Sequence, residues 1–540
     1  MGIYLNPSKQ LFSMAVNSPI YVDKTPFVAE TNRLVNTEKR FLCVSRPRRF
    51  GKSMTASMLA AYYGAEADSR SLFENRLLAQ TPKWDRYLGA FNVIRVVMTN
   101  FTEPDISIKE LLSNLSEELI GEFKEAYPKV RFPSRPTLVN VMTKIYSTQQ
   151  RQFVIILDEW DFVFRLYKQD HESQREYLNF LRTWLKDQEY VALGYMTGIL
   201  PVKKYGEHSA LNMFTEYSMT SPLQFAPYTG FTSEEVQALC KEYGRSYEEC
   251  QKWYDGYRVY GPVPPDPEHL GLQPPLYSIH APLSVVNTIE SGQFQNYWNK
   301  TETYEALAEH IRMDFDGLKE TVAKLMEGAH VPVSLATYQN DMTSMACRDD
   351  VLALLIHLGY LGYDQFKGEV FIPNHEILDE FKTSTRGKEW SSTFRALQNS
   401  RRLLEATEAG DAATIAELIE AAHDKAGNRT YNSEDALSYA IQLAYYAAQD
   451  DYTLLPELDT GKGYADLVYL PKHPGKPVML IELKYEQDAN TAIRQIQNQR
   501  YPARLEQYKG NIILVGINYN RSASPNAPDF KHHSCQVARG

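Results

Sequence analysis

Residues 41–63, FLCVSRPRRFGKSMTASMLAAYY, constrain this chain more than any other stretch. An apolar run, FLCVS, passes through a basic loop into the helical pattern KSMTASMLAAYY. A strand with no polar alternation is buried on both faces, as in a mostly parallel sheet covered by helices on both sides. Gly51, Lys52 and Ser53 then fall where the strand feeds a helix N-terminus, a place where backbone N–H groups and the helix dipole favour phosphate. Gly51 lets the backbone approach, Lys52 reaches the β- and γ-phosphates, and the Ser53 hydroxyl ligates Mg²⁺. Arg46 occupies the first glycine of the usual pattern G-x-x-x-x-G-K-[ST]. That glycine chiefly eases the turn, so an arginine in an ordinary backbone region is tolerated.

Further apolar segments, FNVIRVVMTNF, FVIILDEW and YVALGYMTGI, alternate with helical stretches up to about residue 222. They predict an α/β P-loop NTPase domain over residues 1–230. FVIILDEW ends in two carboxylates at the C-terminal end of a strand, where ligands sit in such sheets. Asp158 is placed to hold Mg²⁺ through water, and Glu159 to orient and deprotonate the attacking water; the plainer alternative is that both acids cap the strand. Thr197, in YMTGILPVKK, is either a hydroxyl sensor near the γ-phosphate or a polar residue ending a strand. Lys203 and Lys204 are phosphate-facing or simply solvated.

A chain of 540 residues calls for two or three domains. With 43% hydrophobic and 23% charged residues, the composition is that of a soluble globular protein. Residues 231–425 predict a helical lid and linker, interrupted by the Pro-rich GPVPPDPEHLGLQPP. Residues 426–520 carry an α-β-β-β-α-β run, and residues 521–540 are expected to be a tail, in which HHSCQVARG reads as a loose end and not as a metal site of His532, His533 and Cys535. The net charge of -10 excludes nonspecific coating of a polyanion by the whole surface but leaves room for a local basic cleft. Five cysteines without C-x-x-C spacing fit reduced thiols. No leader-like start and no membrane-length apolar run is present, so a cytoplasmic, membrane-free protein is expected. A homo-oligomer is compatible with all of this.

The second informative stretch is GYADLVYLPKHPGKPVMLIELKY, residues 463–485. Residues two apart on a strand share a face, so Glu482 and Lys484 project together, with Asp466 from the preceding hairpin strand beside them. Asp466 and Glu482 would bind Mg²⁺ for phosphodiester hydrolysis, and Lys484 would position the nucleophile or stabilise the transition state. An isolated E-x-K at an exposed strand edge is more simply a solubility device. Asp466 and the order of elements favour the metal site. Arg494, Arg500, Arg504 and Lys509 either track a nucleic-acid backbone or form a solvated helix face.

Several motifs in the first half, YVDKTPFV, SRPRRFGKS, LDEWD, TGILPVKK, YTGFTSEEV, WYDGYRV and SALNMFTEYSM, resemble those of the AAA-ATPase-like family of bacterial proteins over residues 21–298. The R-P-R-R-F-G-K-S form of the loop is similar to that family's pattern, Arg46 included. The resemblance implies a working ATP site formed by Arg49, Phe50, Gly51, Lys52, Ser53 and Met54 with Asp158 and Thr197. It also implies an additional-strand P-loop fold, catalysis by Glu159, and a lid or coupling role around WYDGYRV. Taken singly, Trp253, Tyr254 and Tyr257 read as an aromatic cluster beside an Asp-Gly turn. The C-terminal constellation over residues 432–518 resembles the PD-(D/E)XK nuclease superfamily, a restriction-endonuclease-like fold. There Glu434 and Glu457 are similar to accessory acids, and Gln495 with Tyr501 to the following helix motif. Tyr464 departs from relatives that place arginine two residues before the aspartate. Together the two resemblances imply an ATP-hydrolysing, Mg²⁺-using protein whose C-terminal domain acts on DNA. The alternatives are a switch that binds nucleic acid without cutting it, or a nucleotide-responsive scaffold with no DNA partner.

Overall fold

The computed structural model describes the chain apart from residues 1, 66–67, 104, 203–210, 264–272, 299–303, 314, 316, 340–344, 387, 427–440, 442–443, 446, 460–463, 499–507, 509, 521–531 and 540. Also outside the description are the side chains of 304–306, 388–389, 391–394, 397, 423–426, 449–450, 456–459, 464–466, 485 and 495–498. The chain divides into two compact units, Met1–Thr385 and Arg386–Gly540.

In the first unit, strands β1 (Phe41–Ser45), β2 (Asn92–Val97), β3 (Phe153–Asp158), β4 (Val191–Gly198) and β5 (Thr215–Tyr217) form one sheet in the order β2-β3-β4-β1-β5. Every pairing is parallel. Strands β1, β3 and β4 are buried along their whole length, as continuous apolar runs require. Successive residues of β3 enter opposite cores. Phe153, Ile155 and Leu157 meet helix α2 (Ile108–Ala126) through Leu111, Leu115 and Phe123. Val154 and Ile156 face helix α1 (Lys52–Tyr63) through Leu59, Tyr62 and Tyr63. Each such apolar side chain contributes about 1.5–3 kcal/mol by leaving water. Helix α2 starts at a capping box, with Ser107 accepting from the Glu110 amide and Glu110 from the Ser107 amide.

Beyond the sheet, helix is the main element, but two three-stranded sheets interrupt it. The first joins β6 (Phe231–Thr232), β7 (Tyr257–Tyr260) and β8 (Leu276–His280); the second joins β9 (Val331–Pro332), β10 (Gly362–Asp364) and β11 (Glu369–Phe371).

In the second unit, β12 (Tyr452–Asp459), β13 (Tyr464–Pro471), β14 (Val478–Tyr485), β15 (Ile512–Tyr519) and β16 (His533–Arg539) pair in sequence order. The β14–β15 pair is parallel, bridged by helix α3 (Ala489–Asn498), and the others are antiparallel. Even-numbered residues of β14, Val478 and Leu480, pack with Ile493 of α3, while Met479, Ile481 and Leu483 pack with Leu403, Ile415 and Ile419.

Two expectations differ from this. The unit boundary falls at residue 385, so the helices Lys388–Ala409 and Ala412–Ala426 belong with the second unit instead of a linker ending at 425. The end of the chain is not loose, because His533–Arg539 pairs with β15 and buries alternate residues. His532 and His533 each place Nδ1 on Glu420, at 2.9 and 2.7 Å. All five cysteines are free thiols. Among the described residues no helix is long and apolar enough to cross a membrane.

Candidate functional site

The loop between β1 and α1 is shaped by two left-handed residues, Arg49 at φ 67° and Gly51 at φ 83°. A Cβ on Gly51 would touch nothing nearer than Met54 Cε at 3.9 Å, so its requirement is conformational and not steric. Gly51 caps α1, which sets the first amides of that helix toward the loop. Lys52 Nζ donates to the carbonyls of Arg46 (2.9 Å) and Pro47 (2.7 Å). Burial pulls the Lys52 ammonium down to about 8, against the opposing pull of Asp161, Asp158 and Glu159.

Arg46 does not face this loop. Its buried guanidinium donates to the carbonyls of Ser45 (2.7 Å) and Tyr217 (2.9 Å), and its amide to Gly198 (3.1 Å). It therefore ties the root of the loop to β4 and β5. Phe50 is buried and meets the Tyr257 ring edge-on at 5.3 Å, while Tyr257 donates its hydroxyl to the Gly359 carbonyl at 2.7 Å. Gly359 in turn lies so close to Pro47 that a Cβ there would come within 2.7 Å of it. The WYDGYRV segment and the end of helix Arg348–Leu358 thus pack directly on the loop. Trp253 and Tyr254 form the aromatic cluster expected of them, with rings 6.2 Å apart. Arg49, Phe50, Gly51 and Met54 line a largely apolar, open-mouthed cavity of about 360 Å³, together with Tyr21, Val22, Phe231 and Val286.

Across the sheet's C-terminal end, Asp158 pairs in register with Thr197. Asp158 Oδ1 accepts the Glu159 amide at 3.1 Å, and the Ser53 hydroxyl lies near enough to this carboxylate to favour its charged form. Its other oxygen, Oδ2, is buried and accepts no hydrogen bond among the described residues, with Arg95 Nη2 3.9 Å away. Burial raises the Asp158 pKa, with Ser53, Arg95 and Lys52 opposing. A hydroxyl beside a carboxylate whose second oxygen is orphaned is a hard-oxygen donor set that fits Mg²⁺. Glu159 turns off the strand in the left-handed region at φ 55°, and its Oε2 accepts from Arg165 Nη2 at 3.1 Å. The Thr197 hydroxyl is committed to the sheet, donating to the Val44 carbonyl at 2.9 Å from a fully buried position. Lys203 and Lys204 lie outside the described residues.

Asp161 and Arg165 were not singled out by sequence. Asp161 is completely buried, and its Oδ2 accepts the amides of Ile199 (3.0 Å) and Leu200 (2.9 Å). The available signal was the third acid of LDEWD followed four residues later by arginine, a spacing that brings side chains together on a helix.

In the second unit, Glu482 is 1% exposed and its Oε1 accepts Lys484 Nζ at 2.9 Å. They stand on β14, between β13 and β15, so the reading of an exposed edge pair does not apply. The antiparallel register pairs Leu467 with Ile481 and Val468 with Leu480. Continued by one residue, it sets position 466 across from 482, and facing positions of an antiparallel ladder share a face. The Asp466, Glu457 and Gln495 side chains lie outside the description, as do residues Glu434, Arg500, Tyr501, Arg504 and Lys509. Arg494 is exposed on α3.

Comparison with known proteins matches a region of each unit. Residues 10–206 match the family described as Predicted AAA-ATPase, and residues 437–524 match the PD-(D/E)XK nuclease superfamily. The chain carries both domains. An uncharacterized protein from the vnfD 5' region of Azotobacter chroococcum mcd 1 is 24% identical over 294 residues, which is 52% of this chain and 51% of the relative. The chain therefore spans about half the length of that curated relative. Among solved structures, a Walker-type ATPase of Pyrococcus abyssi is 12% identical with a TM-score of 0.33, covering 66% of this chain and 94% of its own. The ORC2 protein of Aeropyrum pernix, in ADPNP-ADP complexes, is 12% identical with a TM-score of 0.28, covering 71% and 98%.

Proposed function

We propose that the ATPase-like domain binds and hydrolyses ATP and that the nuclease-superfamily domain cleaves DNA with a divalent metal. The observation that carries the first half is the convergence of Lys52, Ser53, Asp158 and Glu159 at one end of a parallel sheet. The α1 amides and Lys52 would cradle the triphosphate, with the base in the apolar cavity beside Phe50 and Met54. Glu159 would take the proton from the attacking water as the γ-phosphoryl group moves to it. Mg²⁺, held by Ser53 and Asp158, would offset charge on the β- and γ-oxygens. Thr197 keeps its hydroxyl on the Val44 carbonyl, so its contribution would be to tie β4 to β1 and not to touch phosphate. In the second half, a buried carboxylate paired with a part-buried ammonium on a central strand is costly to keep, which favours a chemical role. Glu482 and Asp466 would hold the metal, and Lys484 would steady the developing charge on the scissile phosphate. Nucleotide-dependent repacking of residues 231–385 would regulate the C-terminal domain.

Steady-state ATP hydrolysis by the full chain, compared with Lys52→Ala and Glu159→Gln, tests the first half. Equal rates in all three would end it. Nicking of a plasmid with Mg²⁺ or Mn²⁺, lost in Lys484→Ala, tests the second. A second reading, a switch that binds DNA without cutting, is kept by Tyr464, which stands where a phosphate-contacting arginine is common in relatives. Salt-dependent DNA binding with no nicking in either metal would favour it.

A further inference from the structure

We propose that Arg165 is a positioning residue for Glu159, fixing the carboxylate beside the phosphate loop and referencing it to the segment that follows β4. This rests on the ATPase reading above.

Glu159 is 38% exposed and leaves β3 through a left-handed residue, so the strand itself does not hold its side chain. A carboxylate on three torsions samples several staggered rotamers, and holding it in one costs side-chain entropy. A general base must nevertheless stay within hydrogen-bond reach of its water. Arg165 supplies a fixed point. It lies on the short helix Phe162–Leu166, and its Nη2 stands 3.1 Å from Glu159 Oε2 and 3.7 Å from Asp161 Oδ1.

Asp161 is the anchor of the group. Its Oδ2 is gripped by the Ile199 and Leu200 amides, while Oδ1 accepts no hydrogen bond among the described residues. One guanidinium nitrogen thus bridges a fixed carboxylate and a solvent-facing one, and the shorter contact is to the solvent-facing one. A structural pair between Asp161 and Arg165 would have the reverse order of distances. Gly198 protects the arrangement, since a Cβ there would fall 2.5 Å from Asp161 Oδ1. Because one nitrogen makes both contacts, a lysine ammonium supplies the charge but on a shorter, differently shaped stem, and so replaces arginine only in part.

The test measures ATP turnover and binding of a fluorescent ATP analogue by the full chain as wild type, Arg165→Ala, Arg165→Lys, Glu159→Gln and the double variant Arg165→Ala/Glu159→Gln. Misplacing a catalytic group by about an ångström costs on the order of 10²-fold, so Arg165→Ala is expected to lower kcat about 10- to 100-fold. KM and analogue affinity stay near wild type, and Arg165→Lys recovers part of the loss. Because Arg165 acts through Glu159, the double variant is expected within about 2-fold of Glu159→Gln alone. Wild-type kcat in Arg165→Ala, a loss confined to KM, or a full additional loss in the double variant overturns the inference. If circular dichroism shows Arg165→Ala unfolded, Arg165→Lys and Arg165→Gln carry the same comparison. A wild-type protein with no turnover that Lys52→Ala removes overturns the ATPase reading together with the inference; turnover that ignores Arg165 overturns the inference alone.

Discussion

The proposed nucleotide site gathers its polar groups from the ends of β1, β3 and β4 and the start of α1, whereas Glu482 and Lys484 leave a single strand two residues apart. At the first of these the two buried carboxylates accept backbone amides: Asp158 that of Glu159, and Asp161 those of Ile199 and Leu200. In the second, a buried carboxylate is held by a side-chain cation. The first arrangement depends on a particular backbone path, bought with left-handed residues at positions 49, 51 and 159. The second depends on register and charge balance. A substitution should therefore damage the first site by misplacing groups and the second by leaving charge uncompensated.

The largest expected effect separates chemistry from structure in the first site. Glu159→Gln should lower ATP turnover about 10²- to 10⁴-fold, the range of a general base, with thermal stability near wild type because the amide keeps the shape. A melting temperature that falls along with kcat would erase the contrast. The second unit should behave differently: Lys484→Ala removes the cation beside a carboxylate that is 1% exposed, which costs about 3–5 kcal/mol in denaturant titrations as well as abolishing nicking. Unchanged stability would mean that Glu482 is compensated by other groups.

A third expectation follows from Lys52, whose ammonium sits near 8 in the free protein. A bound triphosphate raises that value, so binding recruits a proton wherever the free lysine is neutral. Below about pH 8 the lysine is already charged and affinity is flat; above it, ATP affinity should weaken by up to about tenfold per pH unit. Calorimetry between pH 7 and 9 in buffers of different ionisation enthalpy would detect the proton uptake. Smallest is Tyr257→Phe, which keeps the ring on Phe50 but loses the bond to the Gly359 carbonyl, for about 1 kcal/mol.

The sequence was most readable where chemistry and local structure coincide. FLCVS-loop-KSM carries both the strand-to-helix switch and its ligands within one short stretch, and IELK carries its pair on one face. Arg46 was less readable, because its carbonyl partner on Tyr217 arrives from a strand far along the chain. The Asp161–Arg165 link was missed for a related reason, since the amides that fix Asp161 belong to the turn after β4. His533–Arg539 was misread because a strand of mixed polarity at a chain end resembles a tail; its alternation, with His533 and Cys535 buried and Ser534 and Gln536 exposed, was the neglected cue. Pro456 in β12 caused no such trouble, as that strand lies at the sheet's margin, where a missing N–H is tolerated.

The seat of Arg46 also warns against a tempting repair. An engineer aligning this chain to the commonest P-loop pattern would restore glycine at 46. That exchange would strip a hydrogen-bond donor from two inward carbonyls and loosen β5, which among the described residues pairs with β1 alone. Here the consensus would be the lesion.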